Sequence, residues 1–154
     1  MKLATPRAFA LTGALASALL AAPCAAQTQA QPPLPAIQIN AGIHLITAEV
    51  AESAEQRATG LMYRTEMAPN AGMLFAFPAP YAHCFWMRNT VLPLSIAFIA
   101  DDGTVVNIED MAPQTTDSHC AAKPVRYALE MIKGWFAKRG IKPGMRLHGG
   151  PFTS

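Results

Sequence analysis

Leu94-Ser95-Ile96-Ala97-Phe98-Ile99, Ala100-Asp101-Asp102-Gly103 and Val105-Val106-Asn107-Ile108 follow one another almost without interruption. Two short runs rich in apolar and β-branched residues flank an Asp-Gly turn, the clearest hairpin signal in the chain. Downstream, Tyr127-Ala128-Leu129-Glu130-Met131-Ile132 fits helix or strand by periodicity alone, and Gly134 favours a strand that ends there. A short helix is expected from Trp135 to Arg139 with Gly140 as its stop, then a Pro143-Gly144 turn into a last strand, Met145 to His148. Upstream, His83 to Met87 reads as a strand closed by Arg88-Asn89-Thr90, and Met73 to Phe77 as a buried strand that Pro78 and Pro80 should terminate.

Nearer the N-terminus, Ser53 and Gln56 resemble a capping box opening a helix from Ala54 to Leu61, and Ile43 to Val50 reads as the opening strand. Pro113 to Pro124 reads as a polar loop. Short strands punctuated by turns, with two small helices, predict one mainly-β domain over residues 37–150. Its expected form is a compact jelly-roll-like sandwich or barrel.

Residues 1–26 carry an export signature. Lys2 and Arg7 precede the small apolar run Ala8 to Ala22, and Pro23-Cys24-Ala25-Ala26 leads into a polar stretch from Gln27. The run is too short to span a bilayer, so a cleaved signal peptide and a periplasmic or secreted protein with no transmembrane segment are expected. The Gln/Pro-rich segment 27–36 is expected to be a disordered or extended leader. The chain has 12 Lys and Arg against 10 Asp and Glu, and without Lys2 and Arg7 the two signs balance. Nucleic acid is therefore an unexpected partner, because neutralising phosphates needs concentrated positive charge. At 51% hydrophobic the chain is too apolar to be disordered.

Beyond the signal, Cys84 and Cys120 remain. In an oxidising compartment an even pair reads first as a disulfide, with a metal-binding pair or two free thiols as alternatives.

Four segments together are distinctive: Gln56 to Arg64, Gly72 to Phe77, Phe85-Trp86-Met87-Arg88-Asn89-Thr90 through Leu94, and Tyr127 to Glu130 with Gly134. They resemble the domain of unknown function 192 family, from about Ile43 to Gly149. The resemblance implies a mainly-β fold and no established activity. Ser95 and Met145 stand where many relatives carry Asp, and the loop before Tyr127 has one Cys where some relatives have a pair.

Trp86, Asn89 and Thr90 are the first candidates for ligand binding, since an indole with nearby amide and hydroxyl groups suits a neutral polar or glycan-like ligand. Arg57 and Arg64 could clamp a carboxylate or phosphate. Trp86, Asn89 and Arg64 are expected to border one shallow site. Against this stands a structural reading, in which Trp86 fills core, Asn89 holds a turn and an Arg pairs with Glu55 or Glu66. Glu109, Asp110 and Asp117 read as a solvated rim.

No Gly-x-Ser-x-Gly or His-Glu-x-x-His motif is present. An enzyme is thus the less supported class, and no cofactor or metal is expected. Seven methionines beyond the signal, with the cysteines and histidines, leave Cu(I) handling as the alternative. The expected partner is a small molecule or a periplasmic protein.

Overall fold

The computed structural model describes residues 28–152; the signal peptide read over residues 1–26 lies outside them. Strands β1 (Ala36–Ala41) and β2 (His44–Ala51) open the fold. Helix α1 (Ala54–Thr59) and strand β3 (Ala71–Tyr81) follow, then β4 (Cys84–Phe85) and the hairpin of β5 (Leu94–Ile99) and β6 (Val105–Met111). After β7 (His119–Cys120) come β8 (Val125–Ile132), α2 (Trp135–Lys138) and β9 (Leu147–His148).

Seven strands form one sheet in the order β6-β5-β8-β3-β2-β1-β9, curled into a half-barrel, while β4 and β7 make a separate two-stranded ribbon. The fold is mainly β with two short helices, as expected. β5 and β6 pair from Leu94↔Met111 to Ile99↔Val105, and Asp102 Oδ1 accepts from the Thr104 N–H at 2.9 Å to hold the turn. β8 settles the helix-or-strand alternative. It pairs with β3 on one side and β5 on the other, and a strand buried on both faces needs a nearly continuous apolar run. Alternation along it sends Leu129 and Met131 into the cluster around Ile39, Ile46, Leu74 and Phe136. Ala128 joins the opposite cluster, with Met73, Phe75, Met87, Ile96 and Phe98.

α1 begins as its sequence dictates. Ser53 Oγ accepts from the Gln56 N–H at 3.1 Å, and Gln56 Oε1 accepts from the Ser53 N–H at 2.9 Å. It stops at Gly60, whose φ of 50° no helix continues, rather than at Leu61.

Other expectations need correcting. Pro78 and Pro80 do not end β3, because the ladder slips between Ala76 and Tyr81, and a prolyl nitrogen in such an irregularity owes no hydrogen bond. β1 adds a strand ahead of the one expected to open the fold, and β7 lies within the expected loop 113–124. The strand expected over His83 to Met87 keeps only Cys84 and Phe85, and the last strand only Leu147 and His148.

Residues 28–35 are irregular but tied down. Gln31 is buried and donates from Nε2 to the carbonyls of Gln56 at 3.1 Å and Gly60 at 2.8 Å. The Gln56 carbonyl already accepts from the Gly60 N–H at 2.9 Å, so Gln31 adds a second donor to it and clips the leader to the C-terminal end of α1. The Leu34 N–H reaches Glu49 Oε2 at 2.7 Å, so this leader is extended and anchored rather than free.

Candidate functional site

A cleft of about 390 Å³ opens between α1, the β4 segment and the central strands. α1 and the residues after it supply one wall, with Arg57, Thr59 and Leu61 among its members. His83, Cys84, Phe85 and Trp86 supply another wall, β3 contributes Phe75 and Phe77, and Thr90 joins the lining. β8 contributes a single side chain, that of Glu130.

Glu130 is the most unusual residue of the chain. It is 4% exposed and pairs across the ladders with Met73 and Ile96, so its nearest same-face neighbours are apolar. Among the described residues its carboxyl has no hydrogen-bond or ion-pair partner. Burial alone pushes it up to about 8, since a carboxylate there would lose its hydration without compensation.

The other polar groups of the cleft are differently employed. Arg57 lies over the Phe77 ring at 5.1 Å and donates from Nη1 to the carbonyls of Ala76, at 2.9 Å, and Glu52. His83 stacks on the same Phe77 ring with centroids 3.5 Å apart. Burial holds its imidazole below the ordinary value, and the nearby Arg57 charge adds to that against a hydrogen bond with the Ala79 backbone. Its Nε2 is buried with no hydrogen-bond partner among the described residues. Trp86 stands 48% exposed at the rim, with the Arg88 guanidinium 5.6 Å from its ring centroid.

The structure brings Arg57, Trp86 and Thr90 to this cleft and leaves Arg64 and Asn89 off its walls. Arg64 forms a two-pronged pair with Glu49 at 2.5 and 2.7 Å, rather than with Glu55 or Glu66. Burial raises the Glu49 carboxyl, but hydrogen bonds from Arg64 and the Leu34 N–H more than offset it, leaving it lowered. Asn89 is exposed, has φ 57°, and gives its carbonyl to the Tyr63 N–H at 2.8 Å. It holds one loop against another, a use of left-handed backbone to which Asn is suited.

Cys84 and Cys120 face each other across the ribbon and are joined, with Cα atoms 4.0 Å apart. That consumes the thiolates a copper site would have used, and Met73, Met87, Met111 and Met131 are core. Among the described residues, no group of three His, Cys, Asp or Glu side chains is arranged for a metal. Of the acidic rim, Glu109 binds His119 Nδ1 at 2.8 Å. Asp110 accepts from Ser95 Oγ at 2.5 Å, and Ser95 Oγ in turn accepts from the Gly134 N–H at 2.8 Å. Ser95 thus serves the framework. Among the described residues, Glu130 is the one carboxyl in the cleft wall.

Glu130 was not among the candidates from sequence, although a signal existed. One acid in an otherwise apolar six-residue run, on a strand buried on both faces, must point into the interior.

The family profile of domain of unknown function 192 (DUF192, Uncharacterized ACR) matches residues 36–149. The chain belongs to this family. Solved structures similar to it include two crystal structures. One is a candidate transcription regulator from Sinorhizobium meliloti 1021, 37% identical, covering 79% of this chain and 98% of that one with a TM-score of 0.75. The other is a protein of unknown function from Novosphingobium aromaticivorans DSM 12444, also 37% identical, covering 73% and 83% with a TM-score of 0.68. No curated protein matches the chain.

Proposed function

We propose that this member of the DUF192 family is an exported binding module that holds a small, polar, glycan-like molecule in the cleft floored by Glu130. The observation that carries the reading is the buried Glu130 carboxyl, which has no partner among the described residues and lines an aromatic-walled cleft whose rim bears a half-exposed indole. Cores seldom retain an acid unless it is paired or used. A cleft of this volume lies in the range of small-molecule sites, and Trp86 offers an open surface on which a sugar ring can stack.

Export rests on the Lys2/Arg7 and Ala8 to Ala22 pattern, and it places the ligand in the periplasm or outside the cell. The description of the Sinorhizobium meliloti neighbour as a transcription regulator is not carried over, because the chain beyond the signal has no charge surplus to offer a phosphate backbone. Among the described residues no helix is long and apolar enough to cross a membrane.

The test is native mass spectrometry of protein purified from its own periplasm, beside the Trp86→Ala and Glu130→Ala variants. A retained small molecule, lost from both folded variants, is the expected result. An apo mass for the wild-type protein, with no thermal shift from mono- or disaccharides, would refute the reading. Co-purification of a periplasmic protein with no small molecule would replace it with partner binding.

A further inference from the structure

We infer that Glu130 works as an un-ionised hydrogen-bond donor at the floor of the cleft, so that the site selects an uncharged ligand presenting a hydroxyl or carbonyl oxygen at depth. The inference rests on the ligand-binding reading above and names the ligand chemistry.

The surroundings of the carboxyl decide its protonation. β3 and β5 present Met73, Phe75, Ile96 and Phe98 on its face, none of which can stabilise a negative charge. Among the described residues, the charged or titratable groups that reach the cleft from other elements are Arg57 on α1 and His83 ahead of β4. Neither pairs with Glu130. Arg57 Nη1 is engaged by two backbone carbonyls, and His83 is stacked on Phe77 with its imidazole held toward the neutral form.

A carboxylate ionised there would lose its hydration with no partner to replace it, and a proton removes that cost. The upward push to about 8 agrees with this geometry. A protonated carboxyl has one O–H to give, and no group on the described protein takes it.

Ligand charge follows. A cation would meet Arg57 in the wall and a Phe77 ring already engaged by Arg57 and His83. An anion would face a buried acid that ionises only at a cost. A neutral oxygen acceptor meets neither penalty.

Three sugars of similar ring size separate these cases: N-acetylglucosamine (uncharged), glucosamine (cationic) and glucuronate (anionic). Calorimetry at about pH 6.5 should show the uncharged sugar binding at least about tenfold tighter than the other two. Its affinity should fall about tenfold or more by about pH 9.5, as the donor proton is lost. Glu130→Gln keeps an N–H donor and should bind within about threefold of wild type with no such pH dependence, whereas Glu130→Ala should lose about tenfold. Preference for glucosamine, or equal loss in the Gln and Ala variants, would overturn the inference.

A carbon-13 titration of the Glu130 carboxyl gives a readout that needs no ligand. If none of the sugars binds, the glycan-like reading fails by itself. The titration then decides the protonation: a midpoint above about 7 supports the neutral donor, and one in the ordinary carboxylate range refutes it.

Discussion

Glu130 ties the stability of the fold to pH as well as shaping the cleft. Its folded-state value of about 8 lies above the ordinary 4.5, so the folded protein holds a proton that the unfolded chain gives up. The stabilisation is fully present below about pH 4.5 and is lost as pH rises through 8, with a span on the order of 5 kcal/mol. Urea unfolding should therefore show stability falling between about pH 5 and 8, and Glu130→Gln should flatten that slope and be the more stable protein at pH 8. A slope unchanged in the variant would assign the effect to other groups. Arg64 gives the complementary case. It is engaged with Glu49 outside the cleft wall, so Arg64→Ala should lower the melting temperature and leave sugar affinity unchanged, the reverse of what its place in the sequence suggests. Gly72 owes its identity to space. A Cβ there would sit 2.6 Å from the Glu130 carbonyl oxygen, a backbone atom that cannot swing aside. Gly72→Ala should cost about 2 kcal/mol or more in denaturant unfolding, as overpacking does.

Among the elements, α1 and the β4–β7 ribbon matter most, because both contribute to the cleft wall. α1 has only six residues and cannot hold itself by propensity. Its capping box and the Gln31 side chain on its last carbonyls tie both ends. Ser53→Ala should cost about 1 kcal/mol, measured by urea unfolding. The ribbon has only two paired positions, Cys84↔Cys120 and Phe85↔His119, so the disulfide is its main restraint. Closing a loop with a sequence separation of 36 stabilises by roughly 4 kcal/mol on chain entropy. The Cys84→Ser/Cys120→Ser protein should lose a comparable amount, and hydrogen exchange should rise first in residues 83–86. Uniform protection in that variant would show that packing of Phe85 and Met87 alone holds the wall. The capping box and the β5–β6 hairpin were readable in advance because each depends on residues a few positions apart. β7 was not, since a two-residue strand carries no periodicity and exists only through its partner.

At the scale of the whole molecule, the export reading predicts an intact mass for periplasmic protein that starts near Gln27; a mass that retains Met1 to Ala22 would contradict it. What the amino-acid order determined alone is what local physics controls. Alternation and turn chemistry specified a mainly-β chain with two short helices. The resemblance carried by the Phe85 to Leu94 segment and its three companions pointed to the family that residues 36–149 match. Tertiary structure decided the site. Arg57, Trp86 and Thr90 come together because α1 and the β4 ribbon fold over the same face of the sheet, while Arg64, only seven positions after Arg57, meets Glu49 on β2 instead. Position along the chain cannot report such choices, since the groups that meet are brought together by strands far apart in sequence. The same holds for Glu130. As a letter it is one acid among ten, and only its place on the central strand, with Met73 and Ile96 beside it and no ion-pair partner among the described residues, withdraws it from water and sets its charge.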